Sequence, residues 1–504
     1  MADPHAAPRP ASLLRGWAAA RFTLDARSLA AFRIGLGCLL VADCLLRTRD
    51  FRLMFTPDGV FPPEALARFH GHPAFWSLAF LHDAAWWGGV VLALEGLAGA
   101  ALALGWQTRL ATIVAWVALV SVLRRTTPAN NAGDTWLACQ LFWSMFLPLG
   151  ARWSLDARRD AAIDPAQPRL AGVCSVASAA LVLQLVAVYL AAGLSKCNAN
   201  WLGGDALAHA LSVHDHGTPL GTLLGRLPWI VHPLQWGVLS AELVLPLAFV
   251  AWPRSAVRGT IVAAFLAFHA TIWLAMTVGL FAAIGIVAWL PLIPAACWPP
   301  ATAAQPARLA GLGRAGSWAC GLAGLVATAA FVHQVTPWRT RPLPGPLATA
   351  VTLACLPQEW AMFGGVPPQE QWVYGRAVLA DGEVVDLLRA GRPLEQERPH
   401  GGFTSLPHHR WHKFFWVLPQ PRLAVFTAPT AAALARDWNA RHGPDRQVVS
   451  LEIRFGAQGL TGTDGTLRDT LIASWPARSP TGSGNLERFL WAAPGPTAEE
   501  AAVD

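Results

Sequence analysis

Residues 259–307 run for 49 positions without a formal charge. A helix crosses a bilayer in about 20 mostly apolar residues, because every backbone N–H and C=O must be satisfied within it. The run therefore allows two crossings with a turn near residues 277–280. A second uncharged stretch, residues 171–195, supplies another. Weaker segments extend the pattern to nine expected spans, at residues 28–46, 86–105, 109–123, 134–149, 171–194, 233–252, 258–276, 280–298 and 315–335. Only 14% of the chain is charged, against about 25% in soluble domains, and the charge is uneven. The first 336 residues carry 37 of 69 formal charges and the last 168 carry 32. The expected fold is an all-α polytopic membrane bundle of about nine transmembrane helices with a C-terminal β-rich extramembrane domain. Its parts are a cytoplasmic tail (1–27), the bundle (28–336), the β-rich domain (337–490) and a disordered tail (491–504).

Arg and Lys are retained preferentially in cytoplasmic loops. With the N-terminus inside, thirteen flank the cytoplasmic side and eight the other. An odd number of spans then places the C-terminal domain outside. The first apolar run begins after about 27 polar and basic residues without a small-residue cleavage site, the pattern of a signal anchor. The net charge of +7 is spread over membrane flanks and forms no basic stripe, which argues against nucleic acid as a partner. Six of eight cysteines (38, 44, 139, 174, 297 and 320) lie in apolar stretches as small core residues. Only Cys197 and Cys355 are placed to meet outside the membrane, and spacing does not establish a bridge between them.

Beyond residue 337 the texture is that of short strands. Residues 371–379 and 383–388 flank Asp381-Gly382, a hairpin signature. Residues 447–455 read as a further strand, and residues 430–442 as a short helix ending at Gly443.

Of 38 basic residues 36 are Arg; the lysines are Lys196 and Lys413. Lys196 ends the uncharged 171–195 stretch, and an ionisable group there is a functional candidate. Unlike guanidinium, a desolvated ammonium can release its proton and serve as a base near neutral pH. The alternative is a snorkelling anchor at the helix end. Tyr189, seven residues earlier on the same helix face, either offers a hydroxyl to a headgroup or is an interfacial aromatic. Asn198, Asn200, Trp201 and Gly203-Gly204 form a polar, aromatic exit turn, suited to a site mouth or an ordinary loop. His269 is either a hydrogen-bonded structural residue or a functional one. Arg33, Asp43, Glu95 and Glu242 are expected to pair with one another inside the bundle.

AGLSKCNANWLGG, around Lys196, resembles the segment carrying the catalytic lysine of the vitamin K-dependent gamma-glutamyl carboxylases and their bacterial relatives with the horizontally transferred transmembrane (HTTM) domain. SLAAFRIGLGCLLVADCLLR (28–47) resembles the first span of that family. TPANNAGDTW (127–136) resembles its loop with paired asparagines, and FHATIWLAMTVGLF (268–281) the helix with an intramembrane His. QEWAMFGGVPP (358–368) and HHRWHKFFW (408–416) look like the domain appended in bacterial members. The resemblance, over residues 25–300, implies a bacterial inner-membrane enzyme. It implies Lys196 as a base acting on a reduced vitamin K-type quinone with oxygen, giving quinone epoxidation and carboxylation of a protein or peptide. Asn130, Asn131, Tyr189, Asn198, Trp201 and His269 would serve quinone or substrate binding. The carboxylases follow the asparagine pair with a His, whereas this chain has Ala132, Gly133 and Asp134; that departure weighs against carboxylation. A non-catalytic membrane protein binding a lipid or a partner protein is the alternative.

Two histidine groups, at 209, 214 and 216 and at 408, 409 and 412, lack partners at established zinc spacing. Surface or interface roles are expected for both, and no metal.

Overall fold

The computed structural model describes residues 10–71, 74–165, 169–204, 206–212, 216–300, 304–305, 314–365, 369–394, 399–459 and 468–476. His214 and the 491–504 tail lie outside these residues. The described chain is a polytopic helical bundle with a C-terminal five-stranded sheet. Six helices are long and apolar enough to cross a membrane: α1 (Ala26–Thr48), α2 (Ala85–Leu104), α5 (Val176–Ser195), α6 (Pro228–Ala251), α7 (Ser255–Ala275) and α9 (Arg314–Val335). The other three expected spans form helices that are short or carry more charge. They are α3 (Thr108–Arg125), which holds three arginines, α4 (Ala132–Ser144) and α8 (Phe281–Trp289).

Small residues let the first two long helices approach closely. A Cβ on Gly37 would lie 2.5 Å from the Gly99 carbonyl oxygen, so α1 and α2 are in near backbone contact. After α9 the chain does not leave the bundle at once. Helix α10 (Gly345–Ala354) follows, and Leu356 and Trp360 are buried in the same core as α1, α4, α5 and α8.

The sheet contains β1 (Gln369–Leu379), β2 (Val384–Asp386), β3 (Arg392–Pro393), β4 (Val448–Gly459) and β5 (Arg468–Trp475), in the order β3-β2-β1-β4-β5, antiparallel throughout. The Asp381-Gly382 hairpin forms as expected, with Val378 opposite Val384. Helices α11 (His409–Val417) and α12 (Thr427–Asn439) accompany the sheet. A second core joins its residues Val373, Leu451 and Phe414 to Phe55, Phe61 and Leu66 from the segment after α1. The C-terminal domain is thus packed onto the bundle through a shared apolar interior.

Charge placement corrects one expectation: Arg33, Asp43, Glu95 and Glu242 do not pair with one another. Arg33 donates to the carbonyls of Leu102 and Ala103 at the end of α2 (both 2.8 Å) and to Trp153 O (2.6 Å), groups a helix end leaves without intrahelical partners. Asp43 accepts from Arg47 (2.6 Å) and from Arg410 of α11 (2.5 Å), and Arg410 also reaches Asp134 (3.0 Å). Glu242 pairs with Lys196. The buried Glu95 carboxyl oxygens have no hydrogen-bond partner among the described residues. All eight cysteines are free.

Candidate functional site

A cavity of about 740 Å3 lies where the bundle meets the C-terminal domain, within the range usual for small-molecule sites. The bundle contributes Asn130, Asn131, Thr135, Thr277, Val278 and Phe281. The opposite wall comes from the strap of residues 361–365, from Phe403, and from His409, His412, Lys413 and Trp416.

The strap is fastened by the segment around Lys196, through three successive carbonyls. Lys196 Nζ donates to Met362 O (2.8 Å), Trp201 Nε1 to Phe363 O (2.8 Å) and Asn198 Nδ2 to Gly364 O (2.6 Å). Local structure sets up each donor. Lys196 caps the C-terminus of α5 and also bonds the orphan carbonyl of Ala192 (3.3 Å). Asn198 caps the short helix that bears Trp201, accepting from the Asn200 and Trp201 N–H groups. At Gly364 a Cβ would come within 2.5 Å of Ser195 Oγ, so only glycine lets the strap lie this close to the end of α5.

Lys196 is 2% exposed. Its ammonium meets both Glu242 oxygens (2.8 and 3.1 Å) and sits 5.3 Å from the Trp201 ring. It is not among the residues lining the cavity; the Met362 carbonyl separates the two. Tyr189 is buried within the bundle. It accepts a hydrogen bond from Trp289 Nε1 (2.8 Å) and is hydrogen-bonded to His269 Nε2 (2.6 Å). His269 lies one ring behind the wall, its centroid 6.0 Å from that of Phe281.

Both asparagines line the cavity while holding their own loop. Asn130 Nδ2 donates to Leu123 O (2.6 Å). Asn131 caps α4 in a capping box with Asp134: the Asp134 N–H donates to its side chain (3.2 Å), and its own N–H donates back to the Asp134 carboxylate (2.8 Å). Ala132, which directly follows the pair, offers the cavity only a methyl group.

The residues that reading the sequence missed lie on α11. His409, His412, Lys413 and Trp416 follow the i, i+3, i+4, i+7 spacing of one helix face, and that face is the cavity wall. Arg410, on another face, reaches the carboxylates of the bundle. The spacing was visible in HHRWHKFFW; nothing in it announced a cavity. Of the surface or interface roles expected for this histidine group, the structure gives the second: it stands where the C-terminal domain meets the bundle, with His412 buried. Burial holds His409 down to about 3, with Arg410 adding to the effect, and holds His412 well below the usual imidazole range. Burial also lowers Lys413 to about 8, with a smaller contribution from Arg422. Its ammonium lies 4.7 Å from the Trp416 ring centroid, and Trp416 is fixed by its Nε1 bond to Gln371 (3.1 Å). Among the described residues no group of three or more His, Cys, Asp or Glu is arranged to hold a metal ion.

Residues 22–298 match the HTTM domain family, a stretch that takes in the asparagine loop, Lys196, Glu242 and His269. The chain belongs to the HTTM-domain family. No curated protein and no solved structure shows significant similarity to it. The HTTM match ends before the strap and α11, so this membrane protein draws one cavity wall from inside the family domain and the facing wall from beyond it.

Proposed function

We propose that this HTTM protein is a membrane enzyme of the carboxylase-like type, acting on a reduced lipid quinone in the cavity between bundle and C-terminal domain. The observation that carries the reading is the position of the cavity. It is bordered by the paired asparagines and by the strap that Lys196, Asn198 and Trp201 fasten. The lining suits such a ligand: Phe281, Val278 and Met362 offer apolar contact to a fused ring, and Asn131, Thr135 and Thr277 offer amide and hydroxyl groups to its oxygens. When bound, the reduced quinone would supply the electrons for reducing oxygen. Lys196 is the base that the resemblance implies. To act on a ligand in the cavity, its Nζ must exchange the Met362 carbonyl for the ligand hydroxyl, with Glu242 beside it to take the ammonium proton. Ala132 in place of the family His leaves oxidation as the better supported half of the chemistry, with carboxylation of a protein or peptide as its extension.

A second reading, non-catalytic binding of a lipid or partner protein, is favoured by the full engagement of Lys196 as a clasp. The test is the purified full chain with vitamin K hydroquinone, oxygen and labelled CO2, following epoxide and label separately. Loss of a general base lowers turnover by about 10²–10⁴, and Lys196→Arg should do so while keeping a cation in the clasp. Absence of Lys196-dependent epoxide refutes the base assignment; epoxide without label confines the activity to quinone oxidation. On the arginine count we place the N-terminus inside and the C-terminal domain outside, which a reporter fused after Asp504 tests.

A further inference from the structure

The chain has two lysines, and the fold treats them oppositely. Lys196 is enclosed by Glu242 and two carbonyls, outside the cavity. Lys413 lines the cavity, with the Trp416 ring beneath its ammonium and no ion-pair partner among the described residues. The stiff surroundings are aromatic: Phe403 stacks on His412 at 4.9 Å and 12°, and Trp416 is fixed by Gln371.

We infer that Lys413 is a second proton acceptor, in the cavity itself, for the hydroxyl of an aromatic ligand such as a phenol, naphthol or hydroquinone. In the step the ligand O–H bond breaks and an N–H bond forms on Lys413 Nζ. The electron pair stays on the oxygen, leaving an ammonium–oxyanion pair beside the indole. The ligand class rests on the reading above; the residue assignment does not depend on Lys196. Three features support it. The amine is the cationic side chain among the residues that line this cavity, and it lies on the same helix face as two imidazoles that burial keeps neutral. It sits over an aromatic plane that would stabilise the ammonium once formed. Its proton affinity, lowered to about 8, leaves roughly a tenth of it as free amine at pH 7. Other titratable groups around it are His209, His216, Glu359 and Glu370 on the cavity lining, His409 and His412 on its own helix, and Arg422 after α11. They bias this affinity, so the measured midpoint is a property of the assembled cavity.

Two lysines make a direct test practical on the full chain in detergent. Reductive methylation with 13C-formaldehyde should label Lys413 and spare the enclosed Lys196. The Lys413 methyl signal should titrate near 8, and not near the ordinary lysine value of about 10.4. Added 1-naphthol should protect Lys413 from labelling and show naphtholate absorbance at pH 8. In Lys413→Met the naphtholate fraction should fall at least about tenfold while naphthol remains bound. A midpoint near the ordinary value, equal ionisation in Lys413→Met, or no naphthol binding by the wild-type chain would overturn the inference. Wild-type quinol turnover in Lys413→Met would overturn it and leave the enzyme reading standing. Lys413-dependent naphthol ionisation without quinol turnover would do the reverse.

Discussion

Replacing Lys196 by Met tests whether the clasp is real. Met keeps most of the side-chain volume and removes the charge, so Glu242 is left as a buried carboxylate, 6% exposed, with its ammonium 2.8 Å away gone. Breaking a buried ion pair on one side costs about 3–5 kcal/mol. The Met362 carbonyl, 2.8 Å from Nζ, loses a donor as well, for about 1–3 kcal/mol where water cannot replace it. A loss of about 4–8 kcal/mol is a large part of the 5–15 kcal/mol that holds a typical domain together, and the strap should be the first element released. The double variant Lys196→Met/Glu242→Leu removes both charges, and exchange of a whole buried pair for apolar groups is often neutral or stabilising by about 1–4 kcal/mol. It should therefore recover most of the loss. The assay is the unfolding midpoint of the four proteins of this cycle in one detergent, with protease sensitivity at the strap as a local readout. A single-variant cost below about 1 kcal/mol, or a double variant no better than Lys196→Met, would refute the buried pair and the clasp built on it.

Arg410 links the domains in the same way, since Arg410→Met leaves Asp43 and Asp134 with Arg47 as their remaining cationic partner. Unfolding should become easier by about 3–5 kcal/mol with helix content by circular dichroism unchanged, and an unaltered midpoint would exclude the cluster. Acid should also weaken the docked α11. His409, held to about 3, binds its proton in the unfolded chain near 6.5 and not in the folded one. Stability is therefore complete above pH 6.5 and falls as pH drops toward 3, by about 2 kcal/mol for this residue between pH 6.5 and 5. Unfolding midpoints at pH 7 and 5 should show the drop, and His409→Gln should reduce it.

The membrane class was legible in the sequence because it depends on a local quantity, the absence of charge over a helix length. The 171–195 stretch folds as α5 and the Asp381-Gly382 turn closes its hairpin, since each is decided within about twenty residues. Of the residues singled out in the sequence, Lys196, Asn198 and Trp201 end on one strap and Asn130 and Asn131 on the cavity. What they touch was not legible. Lys196 and Glu242 are 46 positions apart, Asp43 and Arg410 are 367 apart, and no pattern in a single chain states such pairings.

From its own order of residues this protein determined that it enters a membrane, where its helices and hairpin fall, and that two lysines stand among many arginines. Tertiary structure alone decided which lysine is sealed and which faces a cavity. A burial environment is made by segments that converge from far apart, and that environment, more than residue type, sets whether an amine is a clasp or an acceptor of protons.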